Sequence, residues 1–264
     1  DWLRWLGARF AQGIWQGRWG IALALLPPLL LVALLQWALH APLLGFPGLL
    51  FGIGALFHCW RPRDLDLDVD AIVDAPDAAA RNAAIARLSP NATDMPSLLV
   101  AVFHAARRRW FGVLFWFLLL GAFGAVLYRL VALAAEDDAG LLPSGNAAGA
   151  KRLLAWLEWP VSQLMALFMA LVGDFDTVFS AWKQGGGAGF DANADFLGAA
   201  GRASVRSERA DDAQDYADAG ESASEIALEL GAMPELRDAM SLAWRTLVAW
   251  LAVIALFVIA GWVG

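Results

Sequence analysis

Long runs of apolar side chains dominate this sequence and limit the folds that it can adopt. A helix that crosses about 30 Å of hydrocarbon needs roughly 20 largely apolar residues. Residues 21–39, 110–133 and 242–263 meet that requirement, and residues 49–60 form a shorter apolar segment. The composition agrees, because 17% of the residues are charged, whereas about 25% is usual in soluble domains. The sequence therefore predicts an all-α, polytopic helical membrane protein.

A further apolar stretch, residues 151–173, can be interpreted in two ways. It is long enough to cross a bilayer, but polar or helix-breaking residues interrupt it at Glu158, Pro160, Ser162 and Gln163. Either the segment crosses with these side chains turned toward other helices, or its first half lies at the membrane interface. The sequence thus predicts four to five transmembrane helices.

The apolar runs and the polar loops between them divide the chain into segments. These are an N-terminal segment and transmembrane hairpin (1–60), a helical loop (61–109), a transmembrane helix (110–134), a short loop (135–150), a transmembrane or partly interfacial helix (151–173), an acidic polar loop (174–241) and a C-terminal transmembrane helix (242–264). Helix formers in residues 76–88 and 97–109 predict two helices in the first loop. Because the chain begins at Asp1 without a methionine, we also expect a further apolar segment before it.

Basic residues in the loops predict the orientation of the chain, since cytoplasmic loops are enriched in lysine and arginine. The first 18 residues contain three arginines and residues 61–109 contain seven, whereas residues 41–48 and 135–150 contain no basic residue. This alternation places residues 61–109 in the cytoplasm and 135–150 in the periplasm. The acidic loop is also cytoplasmic if residues 151–173 cross. We therefore expect a multi-pass protein of the bacterial inner membrane, surrounded by the lipid bilayer.

Aspartates occupy alternate positions directly after the first hairpin, and two arginines precede them. The six residues are Arg61, Arg63, Asp64, Asp66, Asp68 and Asp70. A calcium-binding EF-hand is excluded, because counting from Asp64 puts Val69 where glycine is required and Ala75 where an acidic ligand is required. Two alternatives remain open. The segment is either a solvated membrane edge with its arginines near lipid phosphates, or a site for magnesium or a phosphate-bearing ligand.

Several other function classes lack their sequence signals. The GGGAG at 185–189 is not followed by the Gly-Lys-Ser/Thr of a phosphate-binding loop, and Gly52-Ile-Gly54 has no third glycine. Cys59 is the single cysteine of the sequence, which excludes an internal disulfide and a CxxC motif. The charge distribution offers no basic face for nucleic acid. The sequence therefore predicts no nucleic-acid partner and leaves the cofactor and the metal unknown.

Two ionisable residues fall within apolar segments, where charged side chains usually mark function. Arg129 lies 19 residues beyond Trp110 and can extend its side chain toward the far membrane surface. Glu158 is deeper if its segment crosses, and Pro160 opens the helix backbone close to it. Both are candidate ligand-binding residues.

Four segments of the chain resemble the AmpE family of inner-membrane proteins. They are LALLPPLLLVALL (23–35), PRDLDLDVDAIVDA (62–75), RRRWFGVLFWFLLLGAFGAVLYRL (107–130) and LEWPVSQLMALFMALVGDFDTVFSAWKQ (157–184). Their order and spacing extend the resemblance over nearly the whole chain. It implies a sensory or accessory role in β-lactamase induction, in connection with the amidase AmpD and peptidoglycan recycling.

The resemblance also implies where a ligand or protein partner would bind. Residues 61–109 and 174–240 would form the cytoplasmic binding surface, with Arg63, Asp64 and Asp68 at the ligand edge and Arg109 among the positive charges nearby. The AmpE group is related to CobD/CbiB, the adenosylcobinamide-phosphate synthase of the cobalamin pathway. Only Arg63-Asp64 matches its Gly-Arg-Asp-Thr motif, and no Asn-Thr-Leu-Asp-Ser follows Arg129. A synthase-related membrane enzyme that has lost its motif residues is thus the alternative, and an accessory protein is the main expectation.

Overall fold

The computed structural model describes residues 20–40, 46–60, 64–136, 143–191, 195–219 and 233–260. Across these ranges the regular elements are helices and no strand occurs, so the all-α prediction is confirmed. The α-helices are α1 (Gly20–His40), α2 (Phe46–Trp60), α3 (Leu65–Val73), α4 (Ala78–Leu88), α5 (Met95–Ala106), α6 (Gly112–Leu120), α7 (Ala122–Ala135), α8 (Ser144–Val172), α9 (Phe175–Gln184), α10 (Phe196–Ala219) and α11 (Pro234–Ile259). A π-helical turn, Arg107–Phe111, joins α5 to α6.

The chain forms two compact units. The first comprises Asp1–Pro62 and Arg108–Val161, and the second comprises Arg63–Arg107 and Ser162–Gly264. Helix α8 contributes its first part to the first unit and its last part to the second.

Three helices of the described ranges are long and apolar enough to cross a membrane: Gly20–Leu39, Ser144–Val172 and Pro234–Ile259. They coincide with three of the apolar segments found in the sequence. Helix α2 has 15 residues and spans about 22 Å, which is shorter than the hydrocarbon core.

The core of the first unit lies where α1, α2 and α7 meet. Ile21, Leu25, Tyr128 and Val131 are among its buried side chains. The opposite face of α1 is apolar but exposed, and it carries Leu30, Leu31, Leu34 and Trp37. An exposed apolar patch of this kind marks a surface that meets lipid or another protein.

Residues 110–134 differ from the single continuous helix expected from the sequence. Helix α6 ends at Leu120, Gly121 has a positive φ of +67°, which glycine adopts more readily than other residues, and α7 begins at Ala122. The two helices fold back against each other, because Gly112 at the start of α6 lies against the ring of Tyr128 on α7. With nine residues, α6 is about 13 Å long, so this segment is a helical hairpin and not one membrane-length rod.

Gln36 on α1 stabilises the turn of this hairpin. Its Nε2 donates a hydrogen bond to the carbonyl of Leu120 over 3.2 Å, and the backbone N–H of Phe123 donates to its Oε1 over 2.9 Å. Ending one helix and starting the next leaves carbonyl and N–H groups without intrahelical partners. In hydrocarbon such groups must be satisfied within the protein. The polar side chain within the first apolar run therefore has a structural explanation.

Aspartates cap the starts of α4, α5 and α9 in the second unit. Asp77 accepts a hydrogen bond from Ala80 N at the start of α4, and Asp174 accepts one from Thr177 N at the start of α9. Asp94 and Ser97 form a reciprocal capping box at the start of α5. The helices predicted within residues 76–88 and 97–109 are thus confirmed, and capping explains their boundaries.

The acidic loop expected over residues 174–241 contains further helices, α9 and α10. Between them the GGGAG segment forms a turn of backbone hydrogen bonds. Gly187 in this turn is buried against the indole of Trp182, and only a residue without a side chain fits there. The glycines are therefore required for packing as well as for the change of direction.

Candidate functional site

Glu158, on α8, is the buried acidic centre of the first unit. It is 6% exposed, and Arg108 Nε donates a hydrogen bond to its Oε1 over 2.9 Å. The hydroxyl of Tyr128 lies 3.5 Å from the same oxygen. A buried carboxylate is costly unless it is paired and hydrogen-bonded, so these partners are what permit a charge at this position.

Arg108 also reaches a second carboxylate. Its Nη1 donates to Oε1 of Glu136, just after α7, over 2.9 Å. Glu136 is exposed whereas Glu158 is buried, so one guanidinium joins an internal acid to an acid at the surface. We refer to Arg108, Tyr128, Glu136 and Glu158 as the Glu158 network.

The hairpin explains how residues so far apart in sequence come together. Because α7 folds back along α6, the residue after α7, Glu136, returns to the arginines that precede α6. Arg108 and Glu136 therefore lie on the same side of the first unit.

Local backbone features position the network. The π-helical turn over Arg107–Phe111 contains Arg108, and such turns are frequent at functional sites. Gly112 follows it and leaves room for the ring of Tyr128. On α8, Pro160 lacks an N–H and so weakens the helix ladder next to Glu158. Trp116 Nε1 donates to the carbonyl of Leu157 over 3.2 Å and holds α6 against this part of α8.

The structure distributes the predicted site residues between the two units. Arg109, Arg129 and Glu158 belong to the first unit, and Asp64 and Asp68 belong to the second. Arg109 and Arg129 are half-buried. Arg63 lies outside the described residues.

The alternating aspartates do not form one acidic face, because they lie on a helix. Residues two apart on a helix point about 200° apart. Asp64 precedes α3 and is exposed, whereas Asp68 is buried. Within the described ranges, no group of three or more histidine, cysteine, aspartate or glutamate side chains has the geometry to hold a metal ion.

Asp66 has a partner that the sequence did not indicate. Trp244 Nε1 on α11 donates a hydrogen bond to its Oδ1 over 2.8 Å. Burial raises the pKa of the Asp66 carboxyl, and the nearby Asp64 and Asp70 add to that rise, while the bond from Trp244 opposes it. The aspartate thus ties α3 to α11 within the second unit.

Sequence reasoning missed Tyr128 and Glu136 as members of the Glu158 network. Tyr128 lies within an apolar run, and Glu136 is one of several acids in a short loop. Gly112 and Gly124 could have indicated that α6 and α7 pack together, because glycines allow close contact between helices.

A second polar pair, His104 and Asp195, joins α5 to the start of α10 in the second unit. His104 Nε2 lies 2.8 Å from Asp195 Oδ1, which also accepts a hydrogen bond from Gly198 N over 3.1 Å. Burial acts to raise the pKa of Asp195, but the hydrogen bond and charge of His104 and the N–H of Gly198 outweigh it. The pKa of Asp195 is therefore lower than its ordinary value.

The lowered pKa predicts a pH-dependent contribution from Asp195. The carboxylate stabilises the folded state above the unfolded-state pKa of about 3.9, and this contribution disappears as the pH falls through the lower folded-state pKa. Asp195→Asn should thus be less stable than the natural protein at about pH 6, with the difference closing toward about pH 3. Denaturant unfolding across this range measures the difference. The exposed Asp212→Asn is the control, and a gap of constant size would contradict the prediction.

Comparison of the chain with protein-family models, with curated proteins and with solved structures found no match to any of them.

Proposed function

We propose that this chain is a multi-pass protein of the bacterial inner membrane that acts as an AmpE-like sensory or accessory protein. It would modulate β-lactamase induction in connection with peptidoglycan recycling, by binding a ligand or partner on the cytoplasmic side. The observation that carries this proposal is the Glu158 network, a buried ion pair held among apolar helices.

The apolar surfaces support a membrane location. Helices α1, α8 and α11 are long and apolar enough to span, and the exposed face of α1 carries leucines and Trp37. Water would not favour such a face, whereas hydrocarbon would cover it at no cost. A buried ion pair in such a setting is expensive and usually serves a function.

The position of the network supports the AmpE-like reading. Of the segments that resemble the family, 107–130 contains Arg108 and Tyr128, and 157–184 contains Glu158. Two of the four segments that carry the resemblance thus contain the buried part of the network.

The network also suggests how a ligand could be sensed. Glu136 is exposed and shares the Arg108 guanidinium with Glu158. A carboxylate or phosphate of a ligand could replace Glu136 at Arg108, because a guanidinium binds these groups in the same way. Replacement would leave the Arg108–Glu158 pair intact and release the Glu136 carboxylate. With residues 61–109 in the cytoplasm, Arg108 and Glu136 would both face that side.

The proposal is tested by β-lactamase induction in the native host. Deletion of the gene should change the enzyme activity induced by a β-lactam several-fold, and Glu158→Gln should reproduce the deletion while the protein remains at normal level in the membrane fraction. Glu235→Gln, the same change at the start of α11, should behave as the natural protein. Superimposable induction curves for the deletion and the parent strain would refute the proposed function.

A further inference from the structure

An apolar groove lies in the second unit between the last part of α8 and α9. Its volume is about 310 Å³, and its walls include Leu164, Leu167, Ala170, Phe175, Phe179 and Trp182. Ligand sites in proteins begin at about this size. The groove is roughly twice the 150 Å³ that encloses a benzene ring, so it has room for a hydrocarbon chain.

Helix α9 is built to form one wall of this groove. Phe175, Phe179 and Trp182 lie on one face and stack in sequence, with ring centroids 5.7 Å and 5.2 Å apart. Val178 on the same side is buried and anchors the helix. Polar side chains, among them Asp176 and Lys183, flank this face about a quarter turn away around the helix. A short amphipathic helix with aromatic side chains, placed directly after an apolar helix, is typical of a membrane interface.

The polar group at one end of the groove is already satisfied. Gln163 Oε1 accepts a hydrogen bond from Trp182 Nε1, and Gln163 Nε2 donates to the carbonyl of Gly187, both over 2.7 Å. These bonds hold the Trp182 ring in the wall of the groove. They also use the polar groups of Gln163 that could otherwise bind a polar ligand. The groove therefore selects for an apolar occupant.

We propose that the groove binds one acyl chain of a bilayer phospholipid. This inference rests on the membrane location in the proposed function. Leu167 lines the groove and is also exposed on α8, and α8 is one of the helices apolar enough to span. Lys183, which flanks the aromatic face of α9, provides a cation for the phosphate of the same lipid.

Photolabelling of the full chain in phosphatidylglycerol vesicles tests the inference. The vesicles contain a phospholipid with a diazirine on its acyl chain, and adducts are located by peptide mass spectrometry. Adducts are expected on Phe179 and Trp182, and labelling there should saturate at a lower lipid fraction than labelling of Leu30 and Leu34 on α1. Ala170→Trp, which fills the groove, should lower the groove labelling about tenfold.

The matched control is Leu171→Trp, which adds the same side chain at an exposed neighbouring position and should leave groove labelling unchanged. Labelling of the groove in simple proportion to lipid, as on α1, would overturn the inference. So would crosslinks between two copies of the chain through Phe179, since the occupant would then be a protein surface. Release of the chain from the vesicles by an alkaline wash would instead contradict the membrane location, and with it the proposed function.

Discussion

Arg108→Met is expected to lower the free energy of unfolding by about 3 kcal/mol, because it leaves the Glu158 carboxylate buried without its guanidinium. Removing one member of a buried ion pair costs roughly 3–5 kcal/mol. We expect the lower end of this range, because the Arg108 side chain is 38% exposed and water can reach part of the site. Titration of the purified protein with a denaturing detergent measures the change.

Two further variants separate this loss from a general effect of removing an arginine. Arg206 is exposed on α10, and Arg206→Met should change stability by less than about 0.5 kcal/mol. The double variant Arg108→Met with Glu158→Gln should recover much of the lost stability, because it removes the unpaired charge. Equal losses for Arg108→Met and Arg206→Met would show that the buried pair contributes no more than a surface charge.

The free-energy cost of burying the Arg108–Glu158 ion pair is informative about function. Replacing a buried ion pair by apolar residues is often neutral or stabilising, so stability alone gives little reason for Arg108 and Glu158 to be charged. Glu136 adds a surface acid to the same guanidinium, which connects the interior to a position that a ligand can reach. The proposed function rests on this connection.

The helices of the second unit could be predicted because their signals are local. Asp77 and the Asp94–Ser97 capping box lie within four residues of the backbone groups that they satisfy. Helix formers follow each of them in the sequence. Nothing distant is needed to start these helices, and the expected boundaries were close to those of the structure.

The hairpin of α6 and α7 could not be predicted in the same way. Residues 110–134 are apolar throughout, and hydropathy does not distinguish a continuous helix from two shorter ones. The break depends on Gly121 and on Gln36, whose amide reaches the turn from 84 residues away in sequence. A contact over that distance leaves no periodic pattern in the local sequence.

Only part of the Glu158 network could be predicted, because its contacts also join residues that are far apart in the sequence. Glu158 could be identified because an acid within an apolar run is conspicuous. Its partners Arg108 and Tyr128 are 50 and 30 residues away, and Arg108 is one of three consecutive arginines. No sequence pattern indicates which of the three reaches Glu158, since that depends on the π-helical turn.

Gly124→Ala is expected to disrupt the hairpin and to cost about 3 kcal/mol, at the upper end for overpacking. Gly124 is buried on α7, and a Cβ there would lie 2.8 Å from Leu120 Cβ and closer still to the carbonyl oxygen of Trp116 on α6. A backbone carbonyl cannot rotate away as a side chain can, so α6 and α7 would have to separate. Detergent-induced unfolding measures the loss, and reduced contact between Arg108 and Glu136 should accompany it.

Gly54→Ala on α2 is the matched control for this substitution. A Cβ at Gly54 would meet nothing within 4 Å, and alanine favours a helix over glycine by about 1 kcal/mol, so this variant should be as stable as the natural protein or more stable. If Gly124→Ala behaved like Gly54→Ala, the close contact between α6 and α7 would be contradicted. Glu136 would then have no reason to return to Arg108, because the fold-back of the hairpin is what brings the two residues together.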